Sequence, residues 1–231
     1  MTRRFLGTIF FLRHGQTYYT DKFPDLTNKG METISKSANL IQTLLNGNSN
    51  VVIITSPAPR ARGSAALIAK TIGYHGTIKK EYAIQGTIFK DKKKGRALLD
   101  EYMAKGGIRA LDMAYKTDPR YEEMPNIIEP RSKIRKRFFK YFAKIIEGLI
   151  ARQRRPLNLI CVSHYEILYH FVEHFFELDY TKDEPLGHGE IIAVSIFDIC
   201  IENVNVVELE ITFRKETIYR KFFDYKEQKM R

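Results

Sequence analysis

Gly7-Thr8-Ile9-Phe10-Phe11-Leu12 runs without a charge straight into Arg13-His14-Gly15-Gln16-Thr17. A short, wholly apolar run of this kind suits a central strand covered on both faces. Arg3 and Arg4 ahead of it give a faint likeness to a secretory leader, but no small-residue cleavage site follows, so the run reads as a buried first strand. A strand that ends abruptly in a cation and an imidazole points to a ligand site, because open α/β sheets bind ligands outside the carboxyl ends of their strands.

Two further strands end in the same way. Val51-Val52-Ile53-Ile54 leads to Thr55-Ser56-Pro57 and on to Arg60 and Arg62, and Leu157 to Val162 leads to Ser163-His164. Between them lie helical patterns. Thr27 caps a helix over 29–45, with Ile34, Ala38, Ile41 and Leu45 on one face. A helix over 60–72 carries Ala65, Ile68 and Ile72 and stops at Gly73, and one over 131–152 carries Ile134, Phe138, Phe142, Ile145 and Leu149 opposite a basic side of Arg135, Lys136, Lys140 and Lys144. A helix over 166–178 and strands over 191–197 and 204–213 follow, and the chain from Arg214 on is charged and poorly specified. This alternation predicts an α/β fold, a three-layer and mostly parallel sheet with helices on both faces, in a single domain over 1–231. Residues 87–130 read as an insertion that forms a lid and sets specificity. In it Lys90-Asp91-Lys92-Lys93-Lys94 suits a solvated loop, and Leu98, Tyr102 and Met103 suit a short helix.

Composition narrows the partners. The 231 residues carry 38 Lys and Arg against 27 Asp and Glu, a formal charge of +11, which favours anionic partners. No apolar run is long enough to span a membrane. Cys161 and Cys200 lie in strand-like runs and read as core thiols of a reducing compartment, so the cytoplasm is the expected location. The anionic partners that the basic charge suits are phosphorylated small molecules, nucleic acid or anionic lipid; the aromatic residues among the basic ones near 131–152 repeat at helical spacing and read as core, so nucleic acid is possible but not favoured. The expected substrate is a phosphorylated small molecule rather than a protein.

Two histidines and at least two arginines at one sheet edge suit a phosphate. Guanidinium forks match phosphoryl oxygens, and an imidazole can attack phosphorus. Here the sequence resembles the histidine phosphatase superfamily, which includes the cofactor-dependent phosphoglycerate mutases. The resemblance rests on Leu12 to Thr17, on Leu26-Thr27-Asn28-Lys29-Gly30, on Thr55 to Ala61 with Ser64-Ala65, and on Val162-Ser163-His164, in that order. It implies a phosphoglycerate mutase-like fold. It implies that His14 is the nucleophile, that Arg13, Arg60 and His164 bind and stabilise the phosphoryl group, that Thr17 adds a hydroxyl and that Gly15 admits a close backbone approach. It implies no metal and no cofactor.

The pattern departs at the proton-donating acid. Glu81 is the nearest candidate, but its spacing to Gly86 is off, and Asp91, Asp100, Glu101 and Glu166 are the fallbacks. Tyr165 stands where a small residue often follows the second histidine, and Thr20 where an Asn is frequent. His188, between two glycines, is the remaining histidine placed to line the pocket. The expected activity is phosphomonoester hydrolysis through a phosphohistidine on His14. The alternatives are a mutase-type phosphotransferase and a catalytically weak anion-binding regulatory protein on the same fold.

Overall fold

The computed structural model describes residues 2–18, 20, 23–48, 50–152, 155–176, 185–201 and 204–223. Its seven strands form one sheet in the order β3-β2-β4-β1-β5-β6-β7. β1 (Thr2–Arg13), β4 (Asn158–Ser163), β2 (Val51–Thr55) and β3 (Lys79–Lys80) run parallel. β5 (Ile191–Ile201), β6 (Val204–Phe213) and β7 (Glu216–Phe223) continue from β1 as an antiparallel meander. The three-layer α/β architecture is the expected one, with the sheet evenly mixed between parallel and antiparallel pairings.

Side chains alternate across a strand, and β1 divides the core accordingly. Phe10 and Leu12 face α1 (Asn28–Leu45) and α2 (Pro59–Thr71). Ile9 and Phe11 face α3 (Lys92–Thr117), α5 (Arg131–Ala151) and α6 (Tyr165–Phe176). Phe11 is fully buried, with its ring 5.7 Å from Phe138, 6.0 Å from Phe142 and 5.6 Å from Phe171. Aromatic pairs at these separations add to simple area burial, so this cluster clamps the central strand to two helices at once.

α1 starts where expected because Thr27 Oγ1 accepts from Gly30 N at 2.9 Å. The same threonine donates its own N–H to Gln16 O at 3.0 Å, which ties the helix to the loop after β1. A Cβ on Gly30 would stand 2.1 Å from Gln16 O, so the Leu-Thr-x-x-Gly motif is the footprint of two backbones crossing in contact.

Residues 87–130 are more regular than their sequence suggested. Lys92 to Lys94 form the first turn of α3 rather than a solvated loop, because Asp91 caps it by accepting from Lys94 N at 3.0 Å. α3 extends over 26 residues but breaks at Gly106-Gly107, where Gly107 has φ 66°. Only glycine takes that conformation freely, so the helix changes direction there. A short α4 (Arg120–Glu123) follows, and Arg120 binds Asp118 and Glu101 to fasten α4 back on α3. Two strands were unforeseen. β3 is two exposed lysines, and β7 lies in the charged tail after Arg214. Cys161 is buried in β4 as expected, whereas Cys200 is exposed on β5. The expected helix over 166–178 is described as Tyr165–Phe176, and 177–178 fall outside the described residues.

Candidate active site

The alternation that sorts the core also sorts the site. His14 and His164 share the parity of the α1/α2 face, and Arg13 and Ser163 that of the α3/α5/α6 face. Arg13 pairs in register with Ser163, and His14 N donates to Ser163 O at 3.0 Å, so the histidines occupy the next rung of adjacent parallel strands. Their ring centroids are 5.0 Å apart, and both rings are buried.

His14 Nδ1 lies 2.7 Å from Gly15 O. A carbonyl only accepts, so Nδ1 carries the proton and Nε2 keeps its lone pair. Arg60 Nε donates to that lone pair at 3.1 Å. Burial, then Arg60, His164 and Arg13, hold His14 well below the ordinary histidine range. Burial, then Arg60, Arg13 and Arg137, do the same to His164. Both imidazoles are therefore neutral at neutral pH, which is what a nitrogen nucleophile needs.

Arg60 arrives from the first turn of α2. Pro59 starts that helix, and no side chain caps its N-terminal N–H groups, so its positive end adds to the cationic field. Ser64, one turn on, donates to Arg60 O and accepts from Gly15 N, tying α2 to the His14 loop. Arg62 points elsewhere and stacks on Phe23 at 4.6 Å. Thr17 is buried beside this loop, and a Cβ on Gly15 would stand 2.7 Å from Gly30 O.

Arg13 is buried and held from both sides. Its NH1 donates to Asp112 Oδ2 and to Leu186 O, each at 2.7 Å, and its NH2 donates to Asp112 Oδ1 at 3.1 Å. Tyr165 lies under the guanidinium at 5.0 Å, so its aromatic ring supplies a floor that a small residue would not. Thr20 is also accounted for: its hydroxyl and N–H both donate to the buried Asp25, which orders the turn after the His14 loop.

The expected acid, Glu81, makes a capping contact. Glu81 Oε1 accepts from Ala83 N at 2.8 Å and caps the 3₁₀ turn Tyr82–Ile84. Its charge is felt at Cys161 and Tyr141, on the α5 side of the sheet. Asp91 caps α3, Asp100 pairs with Arg96, and Glu101 pairs with Lys105 and Arg120 at the surface. Glu166 opens α6, and its charge acts on Asp112.

Three residues of the site carried no local signal in the sequence or were passed over. Asp112 comes from α3 and is buried. Arg137 comes from α5, makes a two-pronged pair with Glu129, and donates to the carbonyls of Ala83, Gln85 and Gly86. It thereby fixes the loop whose Gly86 lies against His164, where a Cβ would come within 3.1 Å of Cγ. Ser56 Oγ sits 2.7 Å from His164 Nε2. His188, weighed as a pocket residue, stands with its ring 5.6 Å from that of His14. Arg13, Ile108, Arg109, Asp112, His188 and the Pro185–Gly187 segment line a cleft of about 220 Å³.

Residues 9–212 match the sequence profile of the histidine phosphatase superfamily (branch 1). The chain belongs to that superfamily. No curated protein matches it as a sequence relative. Solved structures similar to this chain include a mycobacterial glucosyl-3-phosphoglycerate phosphatase complexed with VO3, at 14% identity and TM-score 0.54 over 94% of this chain and 98% of that one. A putative alpha-ribazole-5'-P phosphatase from Escherichia coli K-12 is 18% identical, with TM-score 0.55 over 90% and 94% of the two chains. Phosphoglycerate mutase from Bacillus anthracis is 17% identical, with TM-score 0.53 over 82% and 87%. At these identities the likeness is one of fold. Phosphatases and mutases thus share the architecture of this superfamily member. Among the described residues no helix is long and apolar enough to cross a membrane.

Proposed function

We propose that the protein is a phosphomonoester hydrolase that works through a phosphohistidine on His14. The observation that carries this reading is the fixed tautomer of His14: Nδ1 is committed to Gly15 O, and Nε2 presents its lone pair to Arg60. A phosphoryl group approaching Nε2 would draw the Arg60 guanidinium onto its own oxygens. Arg13, Arg60 and His164 would then stabilise the charge that spreads over those oxygens in the transition state. After attack, the ring keeps its Nδ1 proton on Gly15 O, which favours the positive imidazole of the intermediate. Water then attacks phosphorus, releases inorganic phosphate and restores His14. A small phosphorylated molecule suits the 220 Å³ cleft better than a protein chain does. The proposed compartment is the cytoplasm.

The test is hydrolysis of an aryl phosphate across pH by the native chain and by His14→Ala, with an acid-labile phosphoenzyme sought after a brief quench. Activity and phosphoenzyme that vanish together in the variant support the reading. The capping role of Glu81 favours a second one, an anion-binding protein with little turnover. Tight phosphate binding without hydrolysis at any pH would select it.

A further inference from the structure

Resting on the hydrolase reading, we propose that Asp112, carried by the insertion helix, is the acid that protonates the leaving oxygen. Glu81 is engaged with the 3₁₀ turn it caps. Asp112 is a buried carboxyl in the wall of the cleft that also takes in His188, and its partner there is a cation that a phosphate can draw away. That cleft is shared by Arg13, whose fork it holds at 2.7 and 3.1 Å, and by His188, whose ring stands 5.6 Å from His14. In this proposal the ester group of a substrate held at His14 Nε2 extends past His188 into the cleft, which would turn its bridging oxygen toward Asp112.

The break at Gly106-Gly107 explains how a surface insertion delivers this group. The second half of α3 turns inward there and brings Ile108, Arg109 and Asp112 onto the cleft. The charged and titratable groups around the carboxyl come from every neighbouring element. They are Arg13 from β1, Glu166 from α6, Tyr121 from α4, Arg109 from α3 itself and His188 from the loop before β5. Burial pushes the carboxyl up to about 6 against the opposing pull of Arg13, with Glu166 adding to the rise.

Substrate binding and proton loading are coupled in this arrangement. A phosphate dianion that draws the Arg13 fork takes away the counterion of Asp112, and a desolvated carboxylate without its counterion takes up a proton. The step then balances. His14 Nε2 forms a bond to phosphorus as the bond from phosphorus to the ester oxygen breaks, and the Asp112 proton moves to that oxygen to release the alcohol. The Asp112 carboxylate next accepts a proton from the water that attacks the phosphohistidine, which returns His14, a protonated Asp112 and inorganic phosphate.

The experiment compares Asp112→Asn with the native chain on glycerol phosphate and on dinitrophenyl phosphate. An alkoxide leaves only if protonated, whereas dinitrophenolate leaves unaided. The kcat/KM for glycerol phosphate should fall by roughly 10²–10⁴ and that for dinitrophenyl phosphate by less than about tenfold, with loss of the basic limb of the pH profile. Asp112→Glu, which keeps an acid, should retain that limb and much of the selectivity for protonated leaving groups. Equal losses on both esters would mean that Asp112 only holds Arg13, and would overturn the proposal. So would a loss confined to glycerol phosphate in Glu81→Gln with Asp112→Asn unaffected. A native chain that cleaves neither ester and forms no phosphohistidine would overturn the parent reading, a result distinct from either of these.

Discussion

Arg60 Nε donates to His14 Nε2 at 3.1 Å, so the guanidinium covers the nitrogen proposed as the nucleophile. After burial, the same cation is the next cause that holds the ring below the ordinary histidine range, and in the proposed reaction it would turn to the phosphoryl oxygens.

Arg60→Ala should therefore change two quantities together. Loss of a preorganised donor should lower kcat by roughly 10²–10³. Because Arg60 depresses His14, its removal should also move the acid limb of the kcat/KM profile to higher pH, with Arg60→Lys restoring the limb better than the rate. Steady-state kinetics across pH read both. A lower rate with an unmoved acid limb would contradict the electrostatic coupling.

Arg137→Met should loosen the loop over His164. It removes the two-pronged partner of the buried Glu129 and donors to three carbonyls, so a stability loss of about 3 kcal/mol is expected. Urea unfolding measures this. In the folded fraction, kcat should fall more than KM rises, because the change acts through His164.

Gly86→Ala tests the same contact from the other side. Its Cβ would press on His164 Cγ at 3.1 Å, where the ring has little room to retreat. Activity should drop with a loss of stability of about 1–3 kcal/mol, the usual cost of overpacking. Gly30→Ala should be worse for folding, because its Cβ meets the Gln16 carbonyl at 2.1 Å and neither backbone can yield cheaply.

The insertion should loosen first in acid. Arg120 and Lys105 hold Glu101 down to about 2, and Arg120 holds Asp118 lower still. Both carboxyls have folded values below their unfolded ones. Their contribution is present above about pH 4.5 and is lost as pH falls toward about 2. Hydrogen exchange should show α3 and α4 amides losing protection across that window before those of β1 and β4.

Charge reversal should separate the cations of the insertion. Arg109 lines the cleft, whereas Lys92, Lys93 and Lys94 lie on the exposed first turn of α3 and Arg96 pairs with Asp100. Arg109→Glu should raise KM for a doubly charged substrate more than Lys92→Glu or Lys93→Glu does, and added salt should mask the lysine effects first. Kinetics at two ionic strengths decide it.

The three strand ends were legible because each is a local event: an apolar run that stops at a polar motif. His14, Arg60 and His164 could be named from such runs. Asp112 could not, because what defines it is Arg13, 99 residues away in sequence, and a single acid within Ala110-Leu111-Asp112-Met113 looks like an ordinary helix residue. Arg137 was hidden by its company. It lies beside Lys136 on a helix with a basic side, and periodicity alone gives such a residue to solvent. β7 escaped because its residues come in like pairs, Ile218-Tyr219, then Arg220-Lys221, then Phe222-Phe223, which breaks the two-residue period of a strand, and its register comes from pairing with β6. The break in α3 was written at Gly106-Gly107, but only the tertiary partner gives that pair a meaning.

The one-residue alternation along β1 has a consequence for how such proteins diversify. His14 is addressed by α1 and α2, while its immediate neighbour Arg13 is addressed by α3 from the opposite layer. In the proposed reaction, attack on phosphorus and the reading of what the phosphorus is attached to are thus built on different sides of one strand. The ring nitrogens of His14 contact Gly15 and Arg60, so Ile108 and Arg109 on the helix beyond Gly107 can be exchanged to try new substrates while Asp112 and Arg13 keep the proposed reaction running.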